Sequence, residues 1–318
     1  MNQLHTVFGA AGAIGRATLT ALQKQNLPVR AVNRSTEVAG FPTLFADMRQ
    51  TEDARRAIDG SSHVYLCLGL PYRSDVWLRD WPVVMHNAIE ACAKNDALLV
   101  FFDNVYMYGP PPLPVPFAED TPQNPTTKKG KARKQTSDLL LNAIAQGKVQ
   151  GVIGRSADFY GEAAVNSPFY ISFLQRMLQG KPPQSLGAPH MPHTYAHAGD
   201  NGRALVTLAM ASDTWGQVWH LPVAPPITFE EVVQYMNREL ETDFSVQFLP
   251  VFLRKLLGLF IRPLREANAM DYQFLHPYEM DDSKFRQRFP DFQVTPYEQG
   301  IHDMVAWFRK HRQVNANL

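Results

Sequence analysis

Only two cysteines, Cys67 and Cys92, occur in 318 residues, and both lie in apolar surroundings. That scarcity excludes a disulfide-built scaffold and suits a reducing compartment in which both thiols belong to the core. An excess of charge is missing too, since 31 basic residues face 30 acidic ones. General attraction to nucleic acid or to an acidic surface is therefore not expected. The start of the chain has no basic leader before its apolar run, and the expectation is a cytoplasmic protein. Long hydrophobic runs are also lacking. The greasiest stretch, 248–264, is broken by Pro250, Arg254, Lys255, Arg262 and Pro263, well short of the roughly 20 apolar residues of a membrane span. It reads as a helix packed on a second lobe or on a partner subunit, with a helix lying on a membrane surface as the alternative. No internal repeat is visible.

What the chain has is core material, 45% hydrophobic residues, and one informative turn. Residues 6–15 read T-V-F-G-A-A-G-A-I-G, a short apolar strand running into Gly9, Gly12 and Gly15 and then into a helix with Ile14, Leu19 and Leu22 on one face. Glycine lets the backbone bend sharply and lets a pyrophosphate approach the helix N-terminal amides with no Cβ in the way. Apolar strand-like runs recur at 6–8, 29–32, 43–45, 63–68, 98–102 and 149–153, with helix-like segments beginning near Gly15, Thr51, Val83 and Gly130. This alternation predicts an α/β, Rossmann-type doubly wound parallel sheet. Thr228 and Glu231 have the spacing of a capping box. Prolines over 110–116 make a long loop after the fifth strand, on the edge where such sheets bind ligands. Beyond Tyr160 the alternation weakens. The predicted division is a dinucleotide-binding domain over 1–160, with 193–226 returning to the sheet, and a smaller, mostly helical substrate lobe from 161–192 and 227–318.

Arg34 follows the second strand, 19 residues after Gly15, where an NAD-selective site offers a carboxylate to the ribose. Arg34 and Ser35 instead suit a 2′-phosphate, so NADP(H) is expected over NAD(H). Asp47 and Met48 are expected to flank the adenine, and Leu68 and Gly69 to run close to the nicotinamide half. With Gly9, Gly12, Ala13, Ile14, Gly15 and Lys129, these complete the predicted cofactor-binding set.

On Gly9-x-x-Gly12-x-x-Gly15, Asp47, Tyr106-Met107-Tyr108-Gly109, Arg155, Tyr160-Gly161 and Asp282-Ser283-Lys284, the chain resembles the extended short-chain dehydrogenase/reductases of the NAD-dependent epimerase/dehydratase-like family. The resemblance spans nearly the whole length. It implies hydride transfer between a nicotinamide and an oxygen-bearing carbon, with a tyrosine as acid/base, a lysine four residues later, and a serine or threonine after strand five. Here the expected stretch, 125–134, reads P-T-T-K-K-G-K-A-R-K and holds no tyrosine. Alignment on the following helix places Lys129 at the tyrosine position, Arg133 at the lysine position, and Asp103 and Asn104 at the serine or threonine. Lys129, crowded by positive charge, can exchange a proton near neutrality, or Lys129 and Arg133 can bind ribose or an anionic substrate. Tyr106 is a further candidate acid/base, and Asp103 must pair, with Lys129 or Arg133 as partner. Asp103, Tyr106, Lys129 and Arg133 are thus the catalytic candidates. His190, His193 and His197 are more readily substrate-lobe or packing residues than metal ligands, because prolines break the helix that would align them.

The reading is therefore an NADP(H)-dependent oxidoreductase or epimerase/dehydratase-like enzyme acting on a small carbonyl or hydroxyl compound, for which a nucleotide sugar is the resemblance's default. The alternative is a non-catalytic NADP(H)-binding redox sensor. The resemblance also implies a homodimer through helices near 83–94 and 130–144.

Overall fold

The computed structural model describes residues 3–185, 187–248 and 250–311. Seven strands form one parallel sheet: β1 (His5–Phe8), β2 (Val29–Asn33), β3 (Thr43–Phe45), β4 (His63–Leu66), β5 (Leu98–Asp103), β6 (Gly151–Arg155) and a late edge strand, Val218–His220. The spatial order runs from that edge strand through β6, β5, β4, β1 and β2 to β3. The order reverses beside β1, which pairs with β2 on one side and β4 on the other. That reversal opens the crevice in which such sheets bind ligands.

Two helical layers cover the sheet. On one face lie α2 (Thr51–Ile58), α3 (Ser74–Asn95) and α4 (Lys128–Ala145), packed through Trp81, Met85, Leu140 and Phe101. α3 begins nine residues before its expected start at Val83 and carries Pro82 inside it. The bond that Pro82 cannot make would fall on Leu78, which lies on the helix's more exposed side, so the interruption is tolerated there. α4 also starts earlier, at Lys128, two residues before Gly130, because the Thr127 hydroxyl accepts the Gly130 amide at 3.0 Å and caps the helix. On the other face, α1 (Ala13–Lys24) packs against a later helix, Ala198–Met210, around Leu19, Leu22 and Leu205. Both cysteines are buried and free, and burial pushes the Cys67 thiol up to about 12.

Between β6 and the edge strand the chain forms β7 (Asp158–Tyr160), a π-helical turn (Phe169–Leu174) continuing into α5 (Gln175–Met177), β8 (Gln184–Ser185), β9 (Tyr195–His197) and the Ala198–Met210 helix, numbered α6. β7 and β9 pair as a small parallel sheet. The edge strand is β10. After it come α7 (Phe229–Leu240), β11 (Gln247–Phe248), α8 (Val251–Gly258), α9 (Arg262–Asn268), α10 (Ser283–Arg288) and α11 (Tyr297–Lys310). The capping box opens α7: the Thr228 amide donates to the Glu231 carboxylate at 2.8 Å, and the Glu231 amide donates to the Thr228 hydroxyl at 3.2 Å. α7 and α11 share an aromatic-rich core with Phe169, Phe173 and Tyr195. No described helix is long and apolar enough to cross a membrane.

Candidate functional site

Leaving β1, the chain turns at Gly9 with φ +70°, and a Cβ there would meet the Leu68 Cα at 2.5 Å. A Cβ on Gly15 would lie 2.2 Å from the Gly9 carbonyl oxygen. The turn is therefore pressed against the exit of β4 and against the first turn of α1. α1 starts from Gly12 with no side-chain cap and no acidic residue in its first turn, which leaves its N-terminal amides for an anion. Gly9, Gly12, Arg34, Ser35, Asp47, Met48, Leu68 and Gly69 line one cleft of about 310 Å³. Of the other predicted cofactor residues, Ile14 is buried in the core and Ala13 lines a different cleft, between α1 and α6. Lys129 does not line the cleft that holds Gly9 and Arg34.

Asp47 accepts from the Arg49 Nε at 3.0 Å. The hydrogen bonds from Arg49 hold its carboxyl below the usual range, and Arg34 adds to the effect from nearby. Arg34 thus shares the cleft wall with a carboxylate that competes for its charge and repels a 2′-phosphate. A lone arginine at this position does not determine phosphate selectivity.

The expected pairing of Asp103 resolves in favour of Arg133, one helical turn beyond Lys129. Asp103, at the end of β5, is fully buried. Its Oδ1 accepts from the Arg133 Nε at 2.7 Å and the Asn104 amide at 2.8 Å, and its Oδ2 from the Ser137 hydroxyl at 2.6 Å and the Arg155 Nε at 3.5 Å. Arg133 lies against the rings of Trp81, 4.4 Å away, and Phe101, 4.9 Å away. Arg155 donates to the Tyr108 hydroxyl at 2.9 Å, which stands 2.6 Å from the His220 Nε2. Burial depresses His220 to about 3, so its ring is neutral. The protonated nitrogen is then Nδ1, which donates to the Asp281 carbonyl at 2.8 Å, and Nε2 accepts from Tyr108. Asp103, Arg133 and Arg155 thereby form the centre of a closed network between α4, β5 and β6 rather than the wall of a cleft.

Lys129 points elsewhere. Its side chain is fully buried, and its Nζ donates to the Glu266 carboxylate and, at 3.0 Å, to the Glu266 carbonyl. It sits 4.0 Å over the Tyr72 ring. Glu266 also accepts from the Ser74 hydroxyl at 2.7 Å and the Ser74 amide at 3.2 Å, so α9 and the start of α3 enclose the lysine. Burial pulls the Lys129 ammonium below the ordinary lysine value, and Glu266 opposes that in part. Burial would raise Glu266, but its bonds from Lys129 and Ser74 outweigh it and hold the carboxyl low.

Tyr106 completes the surroundings. It stacks on Trp77, and its hydroxyl lies 3.4 Å from the Asp158 Oδ1. Burial and then the Asp158 charge push its phenol well above the ordinary value. The catalytic candidates are thus divided, with Lys129 and Tyr106 bordering Tyr72 and Asp103 and Arg133 drawn into the arginine network. His193 stands 3.6 Å from Asp158 among Tyr195, Phe274 and Tyr278, His197 faces Asp200 in the α1–α6 cleft, and His190 is exposed. Among the described residues, no three His, Cys, Asp or Glu side chains form a metal-ligating group. Sequence reasoning missed Glu266, Tyr72, Ser74 and Asp158. None belongs to a local motif, and Glu266 is 137 residues from the lysine it meets.

The family model of the NAD dependent epimerase/dehydratase family matches residues 5–220. Among curated proteins no sequence matches. The fold is shared with the Bordetella bronchiseptica enzyme WbmH in complex with NAD⁺, at TM-score 0.77 and 19% identity over 98% of this chain and 99% of that one. It is shared with the Thermus thermophilus UDP-glucose 4-epimerase in complex with NAD, at 0.74 and 18% over 96% and 99%. It is also shared with DesIV, a dTDP-glucose 4,6-dehydratase from Streptomyces venezuelae with NAD and TYD bound, at 0.80 and 15% over 99% of each chain. The dinucleotide in these structures is NAD. This overturns the expectation of NADP(H) drawn from Arg34 and Ser35.

Proposed function

The chain belongs to the NAD-dependent epimerase/dehydratase family, and from that premise we propose that it is an NAD-dependent enzyme that oxidises or reduces an oxygen-bearing carbon with Lys129 as its acid/base. The observation that carries the reading is the buried Lys129–Glu266 pair at the position where the family's pattern has a tyrosine. The cleft residues suit a dinucleotide: Gly9 and Gly15 let the turn close against Leu68 and the start of α1 where a Cβ would clash, the α1 amides are uncapped, and Asp47, held by Arg49, lines the same cleft. Bound NAD supplies the hydride acceptor or donor.

The chain's own residues handle the proton. Lys129, with its ammonium destabilised by burial, takes a proton from a substrate hydroxyl or returns one to a carbonyl. Glu266 limits that destabilisation, and the two bonds from Ser74 hold the carboxylate in one orientation. Arg133 and Asp103 are positioning residues: they hold α4 on β5, so that Lys129 leaves the helix in a fixed direction. On this reading 1–160 with 193–226 bind the dinucleotide, and 161–192 with 227–318 receive the substrate in a cytoplasmic enzyme. Nucleotide sugars are the first substrates to test, since two of the structures of this fold are named as enzymes of UDP-glucose and dTDP-glucose.

Two measurements test the proposal. Mass spectrometry of the nucleotide released on denaturation, backed by titration of the nucleotide-free protein, is expected to favour NAD over NADP. Incubation with UDP- and dTDP-hexoses is then expected to give either a changed sugar or NADH. Tighter binding of NADP would reject the cofactor assignment, and full activity in the Lys129→Met variant would reject the acid/base.

A further inference from the structure

Among the described residues, six of the fourteen large apolar side chains that remain exposed fall between positions 248 and 261. Phe260, Phe252 and Leu259 are 83%, 74% and 67% exposed, with Leu256, Ile261 and Phe248 beside them. Phe252 and Leu256 lie on the outer side of α8, Leu259, Phe260 and Ile261 in the turn into α9, and Phe248 at the end of β11 just before α8. The inner side of the same unit is tied down: Arg254 is buried and bonded to Asp271 and Asn268, and Glu266 holds Lys129. The apolar surface is therefore the outward face of an anchored element.

The charge around it has one sign. From 248 to 265 the sequence contains Arg254, Lys255, Arg262 and Arg265 and no acidic residue, in a chain whose charges otherwise nearly cancel. Lys255, Arg262 and Arg265 are exposed at the rim. Arg262 is shared with Asp75 at 3.0 Å, whereas Lys255 and Arg265 have no acidic partner among the described residues. A projecting turn of phenylalanine and leucine rimmed by cations is the composition of an element that inserts shallowly into an interface and meets anionic headgroups.

We infer that the α8–α9 hairpin docks on an anionic lipid surface, with Leu259, Phe260 and Ile261 entering the acyl boundary and Lys255 and Arg265 meeting the headgroup charge. The contact is interfacial and does not span the membrane. Because Glu266 lies on the same hairpin, docking turns the Lys129 end of the molecule toward the bilayer. The inference rests on surface composition and is independent of the cofactor and acid/base assignments.

The test is co-sedimentation of the full chain with phosphatidylglycerol/phosphatidylcholine vesicles, with pure phosphatidylcholine vesicles and with none. Wild type is expected to pellet with the anionic vesicles. The Leu259→Ser/Phe260→Ser double variant should lose at least about tenfold in partitioning with an unchanged melting temperature, since both side chains are already in solvent. The Lys255→Gln/Arg265→Gln variant should lose about fivefold per cation on anionic vesicles and little on neutral ones. Equal pelleting with and without vesicles, or wild-type behaviour of the double serine variant, would overturn the inference. So would a wild-type oligomer that the serine pair converts to a smaller species without lipid, because the face would then belong to a second copy of the chain.

Discussion

Lys129 and Arg133 lie one turn apart on the same helical face, are both buried, and both pair with a carboxylate, yet they belong to different kinds of environment. Arg133 is held within the sheet layer: Asp103 comes from β5, Arg155 from β6, and the aromatic rings from α3 and β5. Lys129 is closed in by α9, an element far along the chain from α4. A buried pair whose partners share one rigid layer braces the fold. A pair whose partner comes from an element outside that layer is free of this bracing role, which is what the proposed acid/base role of Lys129 requires.

Four variants sharpen or break that contrast. The largest effect is expected from Lys129→Met, which should lower turnover about 10²–10⁴-fold with NAD affinity unchanged. Glu266 keeps its Ser74 bonds and some access to solvent, so the stability loss should be small; a large loss would place Lys129 in the same class as Arg133. Asp103→Ala should do the reverse. It strands two buried guanidiniums and should cost about 3–5 kcal/mol in chemical denaturation, and a cost below about 1 kcal/mol would show that the network does not brace the sheet.

The third test uses pH. His220 titrates near 3 in the folded protein because of burial, against about 6.5 in an unfolded chain. The unfolded state then binds the extra proton between these values. The stability associated with a neutral His220 is complete above about 6.5 and falls as pH drops toward 3, by up to about 1.4 kcal/mol per pH unit. His220→Gln should flatten that part of the acid limb in thermal melts, and the same slope in both proteins would remove His220 from the account. The smallest effect is expected from Glu266→Gln. Loss of the carboxylate's charge lowers the Lys129 pKa further, so the rise of oxidative turnover with pH should move to lower pH. An unmoved profile would separate Glu266 from the proton transfer.

The main sheet was legible because it is written locally. Each of the six expected apolar runs overlaps a strand, and the seventh strand, Val218–His220, falls in the 193–226 segment expected to return to the sheet; the central strands, buried on both faces, need continuous apolar residues. The glycine turn was legible in part for the same reason, since a Cβ on Gly15 would clash with Gly9 six residues before it, whereas the clash that Gly9 avoids is with Leu68, from the exit of β4. Where local signals misled, a specific contact decided the outcome. The helix expected from near Val83 begins at Ser74 and carries Pro82 inside it, where the missing bond falls toward solvent, and the Thr127 cap moved the start of α4. Arg34 marked a phosphate site, but Asp47, from the neighbouring strand, shares its wall.

The sequence by itself determined the strand runs of the sheet, the Gly12 and Gly15 part of the turn and the placing of Lys129 and Arg133 on one helical face, because each depends on residues within a strand or a turn of one another, while the need for Gly9 came from Leu68 across the sheet. Only the tertiary structure decided which carboxylate each cation received. Asp103 is 30 residues from Arg133 and Glu266 is 137 from Lys129, and a buried charge takes the partner that packing brings within hydrogen-bond reach, whatever its place in the chain.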